Sequence, residues 1–132
     1  MAAGNGREVR FRYLCVDGDT RVADADKVDA GSVLHGLPVR RPPTYKGQKN
    51  YPGLFWSATT SGFLIYESLL ELDRLWVADF DVGVSWIATQ PFELSGRIDG
   101  CTRRHVPDLM LGLTTGKVRI VDVKPVPRLA GL

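Results

Sequence analysis

The sequence predicts one small α/β domain, with strands at both ends and a single long helix between them. Three segments carry this prediction: residues 8–16 alternate between apolar and charged side chains, residues 63–76 are rich in helix formers, and residues 106–124 form a strand, a short turn and a second strand. A chain of 132 residues has the length of one domain, and 44% apolar residues are typical of a folded protein. We therefore expect residues 1–132 to be a single domain.

Charge and cysteine content narrow the class of protein further. The net charge is only +2, so any basic surface for nucleic acid must be local. The apolar runs are too short to span a bilayer, and the first residues lack the apolar segment of a secretory signal. Cys15 and Cys101 lie far apart without C-x-x-C spacing, which predicts reduced thiols in a cytoplasmic protein.

The N-terminal segment is expected to form two strands followed by a loop. Residues 8–16 predict a half-buried strand with a mainly arginine outer face, and residues 20–28 return after the turn signal Asp17-Gly18. Prolines and glycines break residues 36–56 into a loop in which cations alternate with aromatics, as in surfaces that contact phosphates and bases. A solvated loop whose aromatics fold back onto the domain is the alternative. The possible DNA contacts here are Arg40, Arg41, Lys46 and Lys49.

The central segment predicts a helix with a carboxylate at the edge of its apolar face. Ser61 is a favoured N-cap, and residues 63–76 follow it as the helix. At about 100° per residue, one stripe is expected to be buried. Glu71 stands at the border of this stripe and Glu67 well outside it, so Glu71 could reach into a cleft. The predicted buried stripe consists of Ile65, Leu69, Leu72 and Trp76.

The C-terminal half predicts short strands and a hairpin. Residues 79–81 end the helical unit, residues 82–89 form a strand closed by Gln90-Pro91, and residues 92–94 are a further candidate strand before a turn at 96–100. Strands at 106–113 and 117–124 are joined by Thr114-Thr115-Gly116, and the prolines that follow stop the second strand.

The hairpin brings ionisable groups together at one end. If it turns around Thr115, Asp108 faces Asp122, and Lys124 shares a face with Asp122. Two carboxylates about 5 Å apart repel each other unless a cation lies between them, and Mg²⁺ prefers such oxygen ligands. A lysine nearby can hold a water or offset developing negative charge. Asp-x-Lys alone usually forms a surface ion pair, but Pro107-Asp108 placed fourteen residues before it is more specific.

These residues resemble a known nuclease motif. Glu71, Pro107-Asp108 and Asp122-Val123-Lys124 are similar, in chain order, to the PD-(D/E)xK motif. The surrounding segments 66–73, 79–81, 90–92, 105–108 and 122–125 resemble the TnsA-like endonuclease subunit of heteromeric transposases, over residues 36–125. The resemblance implies a restriction-endonuclease-like mixed β-sheet flanked by α-helices. It also implies metal-dependent cleavage of one DNA strand at each transposon end, beside a TnsB-like transposase subunit and a regulatory ATPase.

Site roles carry over from this resemblance residue by residue. Glu71, Asp108, Asp122 and the Val123 backbone carbonyl would bind Mg²⁺, with Mn²⁺ as a substitute, and Lys124 would be the catalytic lysine. The family's helix glutamate follows a serine by three residues and precedes the aromatic residue of the Asp-Phe-Asp run by nine, and this spacing selects Glu71 over Glu67. Asp122 departs from the glutamate found at this position in much of the superfamily.

Other interpretations stay open at the level of sequence. Gln90 could orient substrate or water, or cap a strand end. His105 could touch a phosphate or make a structural hydrogen bond, and Arg103 and Arg104 could contact the DNA backbone or be solvated. The alternatives to a transposase nuclease are a non-catalytic DNA-binding or assembly module of the same fold, and a repair, resolvase or restriction-type nuclease.

Overall fold

The computed structural model of the protein describes residues 9–40 and 52–125. Arg41, Lys46 and Lys49, predicted as DNA contacts, lie outside these residues. Within the described ranges the α/β class is confirmed, with nine strands and two α-helices. None of these helices is long and apolar enough to cross a membrane. The elements are β1 (Val9–Leu14), β2 (Thr20–Asp24), α1 (Ala30–Leu34), β3 (Gly53–Ser57), β4 (Gly62–Tyr66), α2 (Leu69–Phe80), β5 (Val84–Thr89), β6 (Glu93–Ile98), β7 (Cys101–His105), β8 (Leu109–Leu113) and β9 (Val118–Val121).

The strands form three separate sheets. Their orders are β2-β1-β6-β7, β3-β4 and β5-β8-β9. Every strand pair between described residues is antiparallel, so the mixed sheet implied by the resemblance is not found in this part of the chain. Four of the six pairs join strands that follow each other along the chain, and such short connections can link only antiparallel neighbours.

The predicted start of the long helix is wrong. Residues 62–66 form strand β4, which pairs with β3, and Ser61 lies in the turn between them with a φ of 53°. Helix α2 begins at Leu69 after the N-cap Ser68, whose hydroxyl accepts a hydrogen bond from the Glu71 amide. Ser68-Leu-Leu-Glu71 is a capping-box sequence, and this local signal marks the observed helix start better than Ser61 does.

The predicted buried stripe of this helix is wrong at two of its members, whereas Leu72 is half-buried against the core. Leu69 and Trp76 are 54% and 49% exposed, whereas Glu71, Leu75 and Ala78 are buried. These three residues stand at i, i+4 and i+7, so they share one helix face. That face packs into a core of Phe55, Leu75, Ala78, Val84, Ile87, Leu109 and Leu111. Glu71 therefore lies at the end of the buried face rather than at its border.

A second core forms around strand β1, helix α1 and the β5-β8 strand pair. Its buried members are Tyr13, Val33, Leu34, Ala88, Phe92 and Met110. Helix α1 falls in a segment without sequence periodicity, because five residues are too few to show one. Its N-cap Asp29 accepts a hydrogen bond from the Ser32 amide. This core joins the three-stranded sheet to the four-stranded one.

The β6–β7 hairpin replaces the turn predicted at 96–100. Strand β6 runs to Ile98, and the turn narrows to Asp99-Gly100, with φ values of 53° and 76°. Two successive positive φ values, with Asp-Gly in the turn, are typical of a tight two-residue hairpin. The consequence is strand β7 at the edge of its sheet, with all five of its residues exposed.

The C-terminal hairpin is confirmed, although its strands are shorter than predicted. Leu109 pairs with Val121 and Gly112 with Val118, which is the register that a turn around Thr115 requires. Gly116 has a φ of 88°, a conformation that glycine adopts readily. Asp108 and Asp122 therefore stand one residue beyond the last paired residues of β8 and β9.

Candidate functional site

Three polar residues form a row across the end of the β5-β8-β9 sheet. Gln90, Asp108 and Asp122 each follow or precede the last paired residue of their strand. The Gln90 backbone N–H donates a hydrogen bond of 3.0 Å to the Asp108 backbone carbonyl, which continues the strand pairing by one residue. The row is thus held by the same antiparallel register as the buried strands.

Asp108 is anchored by the strand opposite. Its Oδ2 accepts a hydrogen bond of 2.7 Å from the Val123 amide. No described residue donates a hydrogen bond to its other oxygen, Oδ1. The preceding Pro107 is fully buried, so the start of β8 is held by packing as well. One carboxylate oxygen is therefore fixed, and the other has capacity to bind a ligand.

Glu71 reaches the same region from helix α2. It is 6% exposed, its Oε1 accepts from the Glu67 amide at 3.2 Å, and its Oε2 lies 3.4 Å from the Ser68 hydroxyl. Burial raises the pKa of Glu71, the hydrogen bond from the Glu67 amide opposes this, and the negative charge of Asp108 raises the pKa further. Asp108 is therefore close enough for the two carboxylates to repel each other. A bound cation would relieve this repulsion.

Glu67, the alternative to Glu71, lies just before the N-cap of α2 and forms an ion pair. Arg40 donates to both of its carboxylate oxygens, each at 3.0 Å. This bidentate contact neutralises the charge of Arg40, one of the predicted DNA contacts. Of the two glutamates, Glu71 is the one without a cationic partner among the described residues.

Asp122 is turned toward His105 rather than toward Asp108. Its two carboxylate oxygens lie 3.0 and 3.1 Å from His105 Nε2. Within residues 9–40 and 52–125, no three metal-ligating side chains come together as a group that could hold an ion. The structure thus pairs Asp122 with His105 and does not assemble the predicted three-carboxylate set among the residues it describes.

The His105–Asp122 contact is weak enough to be exchanged. The two side chains are 54% and 37% exposed, and exposed ion pairs contribute only about 0–1 kcal/mol. A rotation of the Asp122 side chain away from His105 therefore costs little. The structural hydrogen bond that the sequence left open for His105 is present, and its contact with a phosphate stays a prediction.

Lys124 and Val123 follow directly on this row. Lys124 is exposed, and none of the described residues forms an ion pair with it. Val123 is held through its amide by Asp108, so its carbonyl belongs to a residue fixed beside the carboxylate. The role of that carbonyl as a ligand stays a prediction.

Gln90 is the member of the row with the most unusual environment. It is completely buried and has a φ of 49°. Neither the oxygen nor the nitrogen of its side-chain amide has a hydrogen-bond partner among the described residues. A buried polar group without a partner costs about 1–3 kcal/mol, so an ordered water is expected beside it. Because the side chain has no exposed surface, it does not reach DNA directly in this conformation. Orientation of a water next to Asp108 stays a prediction.

We find no match for the chain among protein-family models, curated protein sequences or solved structures. Glu71 and Asp108 are oxygen donors of the kind that a hard divalent cation prefers, and burial and the charge of Asp108 both raise the pKa of Glu71. Asp122 fits as a third ligand only after it leaves His105.

Proposed function

We propose that this protein is a metal-dependent DNA endonuclease that cuts a phosphodiester at transposon ends as the TnsA-like subunit of a heteromeric transposase. The observation that supports it most is Asp108 at the end of β8, with one carboxylate oxygen held by the Val123 amide, together with the buried Glu71, whose pKa is raised by burial and by the charge of Asp108. Helix α2 supplies one carboxylate and the β8–β9 hairpin the others, an arrangement we propose to be restriction-endonuclease-like. The transposase assignment is supported by the sequence motifs alone.

Each residue has a separate role in this proposal. Glu71, Asp108 and a rotated Asp122 would hold Mg²⁺ or Mn²⁺, which lowers the pKa of a bound water and neutralises phosphate charge. Lys124, exposed at the same end, would hold the attacking water or stabilise the charge that develops on the phosphate. The water oxygen bonds to phosphorus as the P–O3′ bond breaks. The 3′ oxygen takes up a proton, leaving a 5′-phosphate and a 3′-hydroxyl.

The raised pKa of Glu71 fits this role. A buried carboxyl that repels a neighbour holds its proton more readily in the metal-free protein, and a metal ligand must be deprotonated. At pH values where Glu71 holds its proton, metal binding should therefore release it, and the cation would then compensate the carboxylate charges.

A non-catalytic DNA-binding or assembly module is the second candidate, and one observation favours it: Asp122 pairs with His105, and among the described residues the three carboxylates are not assembled. Such a module would bind DNA equally well with Asp108 replaced. It would nick no DNA in any divalent metal.

Nicking of transposon-end DNA in supercoiled plasmids separates these candidates. The full chain, with its partner transposase subunit present, is expected to produce nicked circles in Mg²⁺ and none in EDTA. Asp108→Asn should abolish nicking, because the negative charge is lost. The amide oxygen of the asparagine side chain can still accept the hydrogen bond from the Val123 backbone N–H. Asp26→Asn, exposed after β2 at the other edge of the four-stranded sheet from β7, removes an equal charge away from the row and should nick normally. Wild-type nicking by both Asp108→Asn and Lys124→Gln would disprove the site.

A further inference from the structure

A group of arginines lies on three adjacent strands of the four-stranded sheet. Strands β1, β6 and β7 are neighbours in that order, and β7 is the edge strand. Arg97 on β6 and Arg103 and Arg104 on β7 have exposed side chains, and we call these three residues the arginine edge. Arg10 and Arg12 stand on the neighbouring strand β1. The sequence pattern predicts the main basic DNA contact in residues 36–56 and leaves open whether Arg103 and Arg104 contact the DNA backbone or are solvated.

The arginine edge keeps its charge free. Arg97 donates one hydrogen bond, to the Gly100 carbonyl at 3.2 Å, and no described acidic side chain forms an ion pair with it, with Arg103 or with Arg104. Arg12, by contrast, pairs with Glu93 at 3.5 Å, and Arg40 is held by both oxygens of Glu67. Unpaired, exposed guanidinium groups are the ones available to bind phosphate.

Successive side chains of β7 point to opposite faces of the sheet. Arg103 shares a face with His105, and Arg104 lies on the other face, opposite Ser95. Cations thus flank both sides of one edge strand. A groove of about 500 Å³ runs along the strand, with the apolar side chains of Leu94 and Ile98 in its lining and arginines beside them.

The edge leads directly into the candidate site. His105, the last residue of β7, contacts Asp122, and Arg104 and Arg103 precede it by one and two residues. A strand rises about 3.3 Å per residue, so Arg103, on the same face as His105, lies roughly 6.6 Å from it along β7. Arg103 can therefore bind a phosphate near one held at the row, and Arg104 can bind the backbone from the other face.

We propose that the arginine edge is the surface that binds duplex DNA and places the scissile phosphate beside Asp108 and Asp122. The proposal rests on the nuclease function above. Charge complementarity commits it to a polyanionic backbone, which duplex DNA supplies. An acidic protein partner is the competing occupant.

Duplex binding measured in EDTA tests this surface without involving cleavage. Fluorescence polarisation with a labelled duplex about two helical turns long would compare the full chain with the double variant Arg103→Gln/Arg104→Gln over a range of salt concentrations. We expect at least about a tenfold loss of affinity and a salt slope smaller by about 2, since each phosphate contact contributes about 0.9. Arg103→Lys/Arg104→Lys retains the charges, and its salt slope should match the wild type.

The matched control removes two positive charges from β9 and the turn before it. Lys117 and Arg119 are exposed, and Lys117 lies at the opposite end of the hairpin from Asp122. Lys117→Gln/Arg119→Gln should keep most of the affinity. The proposal is overturned if this control loses as much as the arginine pair, if the arginine variant binds like wild type, or if an acidic peptide binds and the duplex does not. Failure of the nuclease proposal would appear separately, as a wild-type chain that binds duplex and never nicks it.

Discussion

The two larger sheets of this protein differ in burial and in charge. Strand β8, at the centre of the three-stranded sheet, has four buried residues of five, with α2 packed on one face and the second core on the other. Strand β7, at the edge of the four-stranded sheet, is exposed along its whole length. Carboxylates stand at the end of the first sheet and arginines on the second.

This difference fits separate roles for the two sheets, metal binding for the first and DNA binding for the second. Ligands for a metal need fixed positions, and packing around β8 fixes Asp108 through buried neighbours and the Val123 amide. Phosphate contacts need charge and access to solvent, which β7 provides. If the comparison holds, chemistry and affinity should be separable by mutation, and only His105 and Asp122 should link the two regions.

The largest effect is expected from Asp108→Asn. Nicking should fall by at least about 100-fold, because even the outer partners of metal ligands contribute about 10–100-fold. Duplex affinity in EDTA should stay equal or rise, since a negative charge near the DNA is removed. Nicking and polarisation assays on the same preparation check both values. A matching loss of affinity would show that the two sheets do not divide the work.

The next effect concerns packing. Leu75→Ala removes a side chain with no exposed surface from the core behind Glu71, and we expect a loss of about 2–5 kcal/mol in the free energy of unfolding. Ile98→Ala, on the 52% exposed side chain in the four-stranded sheet, should change that free energy by about 0.5 kcal/mol or less. Urea denaturation of both variants measures the difference. Equal losses would contradict the contrast in packing.

A third effect follows from the raised pKa of Glu71. Because the folded protein binds this proton more tightly than the unfolded chain, metal-free stability should fall as pH rises from the ordinary glutamate pKa through the raised one. Glu71→Gln can keep the bond from the Glu67 amide and lacks this dependence. The thermal midpoint of Glu71→Gln in EDTA should therefore match or exceed that of the wild type at neutral pH. Any increase should be smaller than the decrease in thermal midpoint that Leu75→Ala causes.

The control for this prediction is the thermal midpoint measured with added Mg²⁺. Added Mg²⁺ should raise the thermal midpoint of the wild type and leave that of Glu71→Gln nearly unchanged, because ligand binding stabilises only the form that binds. A wild-type profile that rises with pH over the same range would contradict the assigned direction. Equal stabilisation of both proteins by Mg²⁺ would remove Glu71 from the ligand set.

The smallest effect is expected where the two regions touch. His105→Gln removes the ring that holds Asp122 at 3.0 Å but leaves both sheets intact. Since exposed pairs contribute about 0–1 kcal/mol, nicking should change by less than about tenfold in either direction. A loss as large as that of Asp108→Asn would make His105 part of the chemistry.

The sequence was sufficient for the part of the site that depends on local geometry. Period-two alternation and a short turn determine the β8–β9 register, so the position of Asp108 and Asp122 at one end of the hairpin follows from the sequence alone. The β6–β7 hairpin also had a local signal in Asp99-Gly100, and the helix start had one in Ser68-x-x-Glu71. These two signals are more specific than the helix formers in residues 63–76 and the five-residue turn at 96–100, which predicted the wrong boundaries.

The remaining features depend on contacts between distant residues. Arg40 pairs with Glu67 across 27 positions, and His105 with Asp122 across 17, so neither pair follows from spacing along the chain. The buried face of α2 is determined by the strands against which it packs. For the same reason, the free cations of the arginine edge could not be distinguished from the paired Arg40 by composition.

Mn²⁺ in a crystal of the wild-type protein tests the central claim most directly. After soaking, anomalous scattering should show a metal peak between the Glu71 and Asp108 carboxylates, with Asp122 turned away from His105 toward it. The same soak of Asp108→Asn crystals should show no peak there. Full Mn²⁺ occupancy elsewhere with this position vacant in the wild type, and Asp122 still on His105, would contradict the account.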